Sequence, residues 1–131
     1  MDDHFPVTVA AGALRSESGD AVRFPHRWTA DGVTVDTAFT GAHLLHLSIA
    51  GCILNDLYRE AAASGVALHG VRVSAAGGFD TANWTSTGIT YSIEISSNAP
   101  AHELTRLVDT VDKVTEIPRA VRAGATVRRT A

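Results

Sequence analysis

The chain has a single cysteine, Cys52, and that scarcity excludes an internal disulfide and a cysteine-built zinc cluster. It also lacks an apolar run of about 18 residues, the length a membrane-spanning helix needs. The richest stretch is interrupted by His43, His46, Ser48 and Asn55. The opening residues, MDDHFPVTV, are acidic where a secretion signal would be basic and then apolar, so a cytoplasmic location is expected. No repeat, low-complexity tract or long linker divides the 131 residues, and they read as one domain, 1–131. A phosphate-cradling glycine loop, a Gly-x-Ser-x-Gly elbow and a His-Glu-x-x-His pair are all missing. Basic charge is scarce too. The net charge of −3 argues against nucleic acid as a partner, because phosphate binding needs a positive surface. Arg119, Arg122, Arg128 and Arg129 gather near the C-terminus, where they read as a solvated end of the chain.

What remains is an ordinary globular composition, 45% hydrophobic and 19% charged, so the pattern must carry the fold. Phe5 to Leu14 reads as a strand, Ser16 to Asp20 as a turn, and Ala21 to Thr29 as a second strand with Pro25 at an edge or bulge. Asp31-Gly32 is a tight-turn pair, and Val33 to Asp36 reads as the returning strand of an antiparallel meander. A long helix is expected over Ala42 to Ala63, closed by Gly65. Val71 to Ala75 reads as a strand broken by Gly77-Gly78. Asp80 to Gly88 reads as a loop carrying Trp84. Ile89, Tyr91, Ile93 and Ile95 alternate with polar residues, the signature of a strand with one wet face. Asn98 and Pro100 announce a second helix, on which Leu104, Leu107, Val108, Val111 and Val114 recur at helical spacing. Pro118 opens a short further helix ended by Gly124, and Ala125 to Arg129 reads as a last strand. This order implies an α+β fold.

On a helical wheel Leu45, Ser48, Ile49, Asn55, Asp56 and Arg59 fall near Cys52, while His43, Leu47, Ala50, Leu54 and Leu57 lie opposite. The thiol therefore faces the less apolar side. That placement fits a pocket floor, and it fits equally a helix whose second half rises to the surface. A reactive cysteine must ionise, which takes nearby positive charge. Cys52 lies too far along the helix for the dipole to supply it. Asp56 opposes ionisation and Arg59, two turns on, helps weakly. The candidates are therefore arginines on the N-terminal strands: Arg15, Arg23 and Arg27. His43 and His46 could share a helix face, but no third ligand stands at a recognisable spacing. They read as core or interface histidines, with neither a metal nor a cofactor expected.

The residues also resemble a known family. A small-residue approach to a helix is followed by Leu44-Leu45, then Ala50-Gly51-Cys52, then a charged half ending in Ala63-Ser64-Gly65-Val66. After these come Val71-Arg72-Val73-Ser74, the alternating Ile89–Ile95 strand and a helix ending just before a proline. This order resembles the OsmC/Ohr family from about Val7 to Arg129. The resemblance implies an OsmC-like fold, with antiparallel sheets wrapped around a long central helix, and an intertwined homodimer with active sites at the subunit seam. It implies a reduction of organic hydroperoxides by two cysteines, aided by an arginine and a glutamate. Position by position, Cys52 takes the place of the attacking cysteine. Ile117 stands where the resolving cysteine is expected, Ala42 where the glutamate is expected, and Arg15 is the candidate arginine. Without a resolving thiol, any activity would need an external thiol as reductant. The alternatives are a small apolar-ligand binder with Ala42 and Ile117 in its pocket, and a structural scaffold in which Cys52 is a small hydrophobe.

Overall fold

A computed structural model describes residues 4–131. Its strands are β1 (Val7–Gly12), β2 (Val22–Phe24), β3 (Val33–Asp36), β4 (Gly70–Phe79) and β5 (Ser86–Ser96). Its helices are α1 (Gly41–Ser64), α2 (Ala101–Val114) and α3 (Glu116–Ala123). The α+β class expected from the sequence is what is observed.

All strands pair antiparallel in one sheet of order β2-β3-β1-β4-β5. This is not a simple meander, because β3 lies between β1 and β2. β2 is also shorter than expected. Pro25 follows it at once, and a proline has no N–H to give to a ladder. Asp31 and Gly32 close a β-turn in which Gly32 N–H donates to the Thr29 carbonyl, and an eight-residue connection (25–32) joins β2 to β3.

Helix α1 begins at Thr40, whose hydroxyl accepts from the His43 N–H at 3.2 Å. It ends at Gly65, with φ +71°, where a left-handed cap favours glycine. Ile53, Leu54 and Leu57 of α1 pack on Val7, Val9, Ala11, Val71 and Val73 of the central strands. Leu107 and Val111 of α2 complete that core.

Three sequence expectations change. Gly77-Gly78 do not break β4, which runs to Phe79 with a register shift at Gly78/Phe79. Glycine is needed at 77, since a Cβ there would strike the Gly88 carbonyl oxygen and approach His46 Nε2 to 3.1 Å. The loop read over 80–88 shrinks to a hairpin tip, since β5 already begins at Ser86. Trp84 sits there with φ +60°. Finally, 125–129 is not a strand, because no strand edge pairs with it.

Candidate active site around Cys52

Cys52 lies near the middle of α1, on the flank that meets the junction of α2 and α3. That junction is Thr115, which ends one helix and precedes the other. Its residues are brought to α1 because Leu107 and Val111 anchor α2 in the core while Pro118 is buried at the start of α3. A proline fits the first turn of a helix, where its missing N–H costs nothing.

The Cys52 sulfur has three side-chain neighbours: Thr115 Oγ1 at 3.0 Å, Glu116 Oε2 at 3.5 Å and Asp56 Oδ2 at 3.6 Å. The Ile117 backbone N–H also points at it. Asp56 is 1% exposed, so its charge needs a counter-ion. Arg59, one turn on, supplies it at 3.1 Å from Asp56 Oδ1 and also reaches Glu116 Oε1 at 3.9 Å. Glu60 lies on the far side of the same guanidinium, 3.9 Å from Arg59 Nε.

The thiol's pKa is raised, first by burial and then by the neighbouring carboxylates Asp56 and Glu116. The Thr115 hydroxyl and the Ile117 N–H work in the opposite direction. Glu116 is held below the usual carboxylate range, chiefly by a bond from its own backbone N–H, then by the Cys52 thiol and the Arg59 charge. At neutral pH the resting site is therefore a thiol donating toward carboxylate oxygens, with Glu116 ionised.

The sulfur and the carboxylate oxygens of Asp56 and Glu116 lie within 4.8 Å of one another, a donor set that could hold a metal ion. Arg59 already lies against both carboxylates, so the positive charge there comes from a side chain. Sequence reasoning looked for ligands at His43 and His46. His46 is fully buried in the core and bonds the Phe5 carbonyl through Nδ1 at 2.8 Å. His43 Nδ1 meets the Thr40 hydroxyl at 2.6 Å.

A cavity of about 240 Å³ between α1, β5 and α3 is lined by Ile49, Ile89, Tyr91, Pro118, Val121 and Arg122, together with Ser86 and Gly88; Cys52 itself does not line it. Ile49 stands one turn before Cys52, and Pro118 two residues after Glu116. Neither Ala42 nor Ile117 lines it. Tyr91 donates its hydroxyl to Asp112, and burial together with that carboxylate pushes its pKa up to about 12.

Arg15 is not beside Cys52 within one chain. Its guanidinium bonds Asp31 Oδ2 at 2.9 Å on the exposed surface. The cation that reaches the thiol's neighbours is Arg59. Thr115 and Glu116 escaped the sequence reading because they are 63 and 64 positions from Cys52. The resemblance nevertheless held the signal: it named Ile117 as a position that should face the thiol, and these are its immediate neighbours.

The family model for OsmC-like proteins matches residues 34–129. Among solved structures, an OsmC-like protein from Mycoplasma pneumoniae is similar at 16% identity and TM-score 0.60, over 93% of this chain and 89% of that one. An OsmC-like hydroperoxide resistance protein from Jannaschia sp. CCS1 is similar at 13% identity and TM-score 0.55, over 98% of this chain and 93% of that one. At these identities the likeness shows the fold. No curated protein matches the chain. Among the described residues, no helix is long and apolar enough to cross a membrane.

Proposed function

The chain belongs to the OsmC-like protein family, and from that premise we propose that it is a one-cysteine hydroperoxide reductase that draws its electrons from an external thiol. Cys52 is the nucleophile. Its sulfur attacks the distal oxygen of a hydroperoxide, the O–O bond breaks, and the leaving alkoxide takes up a proton to become an alcohol. Cys52 is left as a sulfenic acid. One external thiol then forms a mixed disulfide with it and releases water. A second external thiol frees Cys52 and leaves as a disulfide.

The observation that carries this reading is the setting of the sulfur. It is half-buried and touches one hydroxyl and two carboxylates, and Ile49, one turn before it, and Pro118, two residues after Glu116, help to line a cavity of about 240 Å³ whose apolar wall also holds Ile89 and Val121. That wall suits the organic part of a hydroperoxide. A cysteine serving only as a small hydrophobe would have no use for such polar company.

The same reading takes the working form to be a homodimer. It is supported by apolar side chains left open in one chain: Phe24, Phe39, Leu44 and Ile117, with Phe39 86% exposed. Arg15 enters only across such a seam, since in its own chain Asp31 holds it. Sedimentation velocity at micromolar concentration should show a two-chain species.

The chemistry is tested by stopped-flow oxidation with cumene hydroperoxide. Cys52 should gain one oxygen atom by mass, faster than free cysteine does, and an added thiol should restore it. A rate no greater than that of free cysteine overturns the reading.

A further inference from the structure

The proposed reaction has a proton to move, and the sequence offers no glutamate at the start of α1, where Ala42 stands. We infer that Glu116, at the start of α3, is the catalytic carboxylate of this site: it takes the proton of the Cys52 thiol and returns it to the departing alkoxide, with Arg59 as its positioning residue. This rests on the hydroperoxide reading above and adds the group that makes it workable.

Cys52 is a thiol at rest, so attack needs a base within reach of the S–H. Two carboxylates qualify by distance, Glu116 at 3.5 Å and Asp56 at 3.6 Å. They differ in access. Asp56 is 1% exposed, with its other oxygen bound to Arg59 at 3.1 Å. Sealed from water, it cannot pass a proton to solvent. Glu116 is exposed and opens α3, the helix that also carries Pro118 and Val121 of the cavity wall. A carboxyl group there can meet the leaving oxygen and exchange its proton with solvent between turnovers.

Around Glu116, α1 supplies Cys52, Asp56 and Arg59, with Glu60 behind the guanidinium. On α2, Asp112 is engaged by Tyr91. Arg59 touches both carboxylates and not the sulfur, so it keeps Glu116 ionised and aimed without entering the reaction. The step balances: thiol and hydroperoxide give sulfenic acid and alcohol, the sulfur losing two electrons and the O–O bond gaining them.

The test is the pH profile of Cys52 oxidation by cumene hydroperoxide in wild type, Glu116→Gln, Glu116→Asp and Arg59→Lys. With Glu116 as base, the wild-type rate should be flat from about pH 5.5 to 8, because the carboxylate is fully ionised throughout. Glu116→Gln should be slower at pH 7 by about a hundredfold, the middle range for general acid–base catalysis. Its rate should rise close to tenfold per pH unit, following the thiolate alone. Glu116→Asp and Arg59→Lys should recover part of the rate and the flat profile. A wild-type rate that climbs tenfold per unit, or a Glu116→Gln variant with wild-type rate and profile, overturns this inference while fast wild-type oxidation leaves the hydroperoxide reading intact. Slow oxidation of wild type overturns both. Circular dichroism of each variant shows whether it is folded. If Glu116→Gln is not, the wild-type profile alone decides.

Discussion

The Sγ of Cys52 and the Oγ1 of Thr115 lie 3.0 Å apart, although 63 positions separate them in the chain. This contact ties the middle of the longest helix to the joint between the two C-terminal helices. It also gives the sulfur a hydroxyl partner that favours its ionised form, against burial and two carboxylates that oppose it.

The balance at that sulfur can be read from labelling. Iodoacetamide should modify Cys52 with a pH midpoint above the ordinary thiol value of about 8.5. Thr115→Val should move the midpoint further up, and Asp56→Asn should bring it down. The folded thiol keeps its proton to higher pH than the unfolded one, so its contribution to stability is whole below the unfolded value and declines as pH rises toward the folded value. A midpoint below pH 8 would contradict this account of the site.

Arg59 has a structural debt as well as a positioning role. Replacing it by methionine leaves Asp56 buried without its counter-ion. Because the arginine side chain is 38% exposed, part of the pair is screened by water. We expect a loss of about 1–3 kcal/mol in urea unfolding. The double variant Arg59→Met with Asp56→Asn should recover more than half of it, since no buried charge then remains. A single variant as stable as wild type would show that the buried carboxyl of Asp56 does not depend on Arg59.

Much of the fold was legible because it is built on periodicity. The helical spacing of α1 and α2 and the alternation of β5 come directly from which residues bury a face, and Gly65 marked a real cap. What was not legible depended on partners. The reach of β4 through Gly77-Gly78 is set by β5 lying beside it, and the failure of 125–129 to form a strand by the lack of any edge next to it. The site divides the same way. Cys52 and Asp56 are one helical turn apart and could be paired on a wheel. Thr115 and Glu116 reach them only through the packing of Leu107, Val111 and Pro118. Arg59 was visible on the wheel, but its importance lies in the carboxylates it joins and not in its distance from the thiol.

Gly77 offers a check on the sheet side of the core. A methyl group at this position meets the Gly88 carbonyl oxygen on the paired strand and His46 Nε2 within the core. Neither can yield easily: one is ladder backbone, and the other belongs to a ring held by Phe5 and stacked on Phe79. Gly77→Ala should therefore destabilise by about 1–3 kcal/mol, the range for overpacking. The loss is measured by thermal or urea unfolding. Gly51→Ala is the contrast, because beyond its own stretch of helix nothing among the described residues lies within 4 Å of the added carbon, and alanine is the better helix former. It should stabilise the isolated chain by up to about 1 kcal/mol.

Ile117 stands where the family resemblance expects a second thiol. Its backbone N–H already points at the Cys52 sulfur, while its side chain is 38% exposed. A cysteine at this position starts from a backbone that is correctly placed and needs no new contact in the core. Ile117→Cys should then change the fate of oxidised Cys52. In wild type one equivalent of cumene hydroperoxide leaves a sulfenic acid that persists until a thiol is added. In the variant the new thiol should attack that sulfenic acid, release water and leave an intramolecular disulfide, read as the loss of two hydrogens by mass and as resistance to alkylation. The first oxidation step should keep its rate, because Cys52, Glu116 and Arg59 are unchanged. If the variant is oxidised at Cys52 and forms no disulfide within one chain, position 117 does not face the sulfur closely enough for a resolving role. The correspondence drawn between Ile117 and a second thiol would then be lost, while the roles of Cys52 and Glu116 would stand.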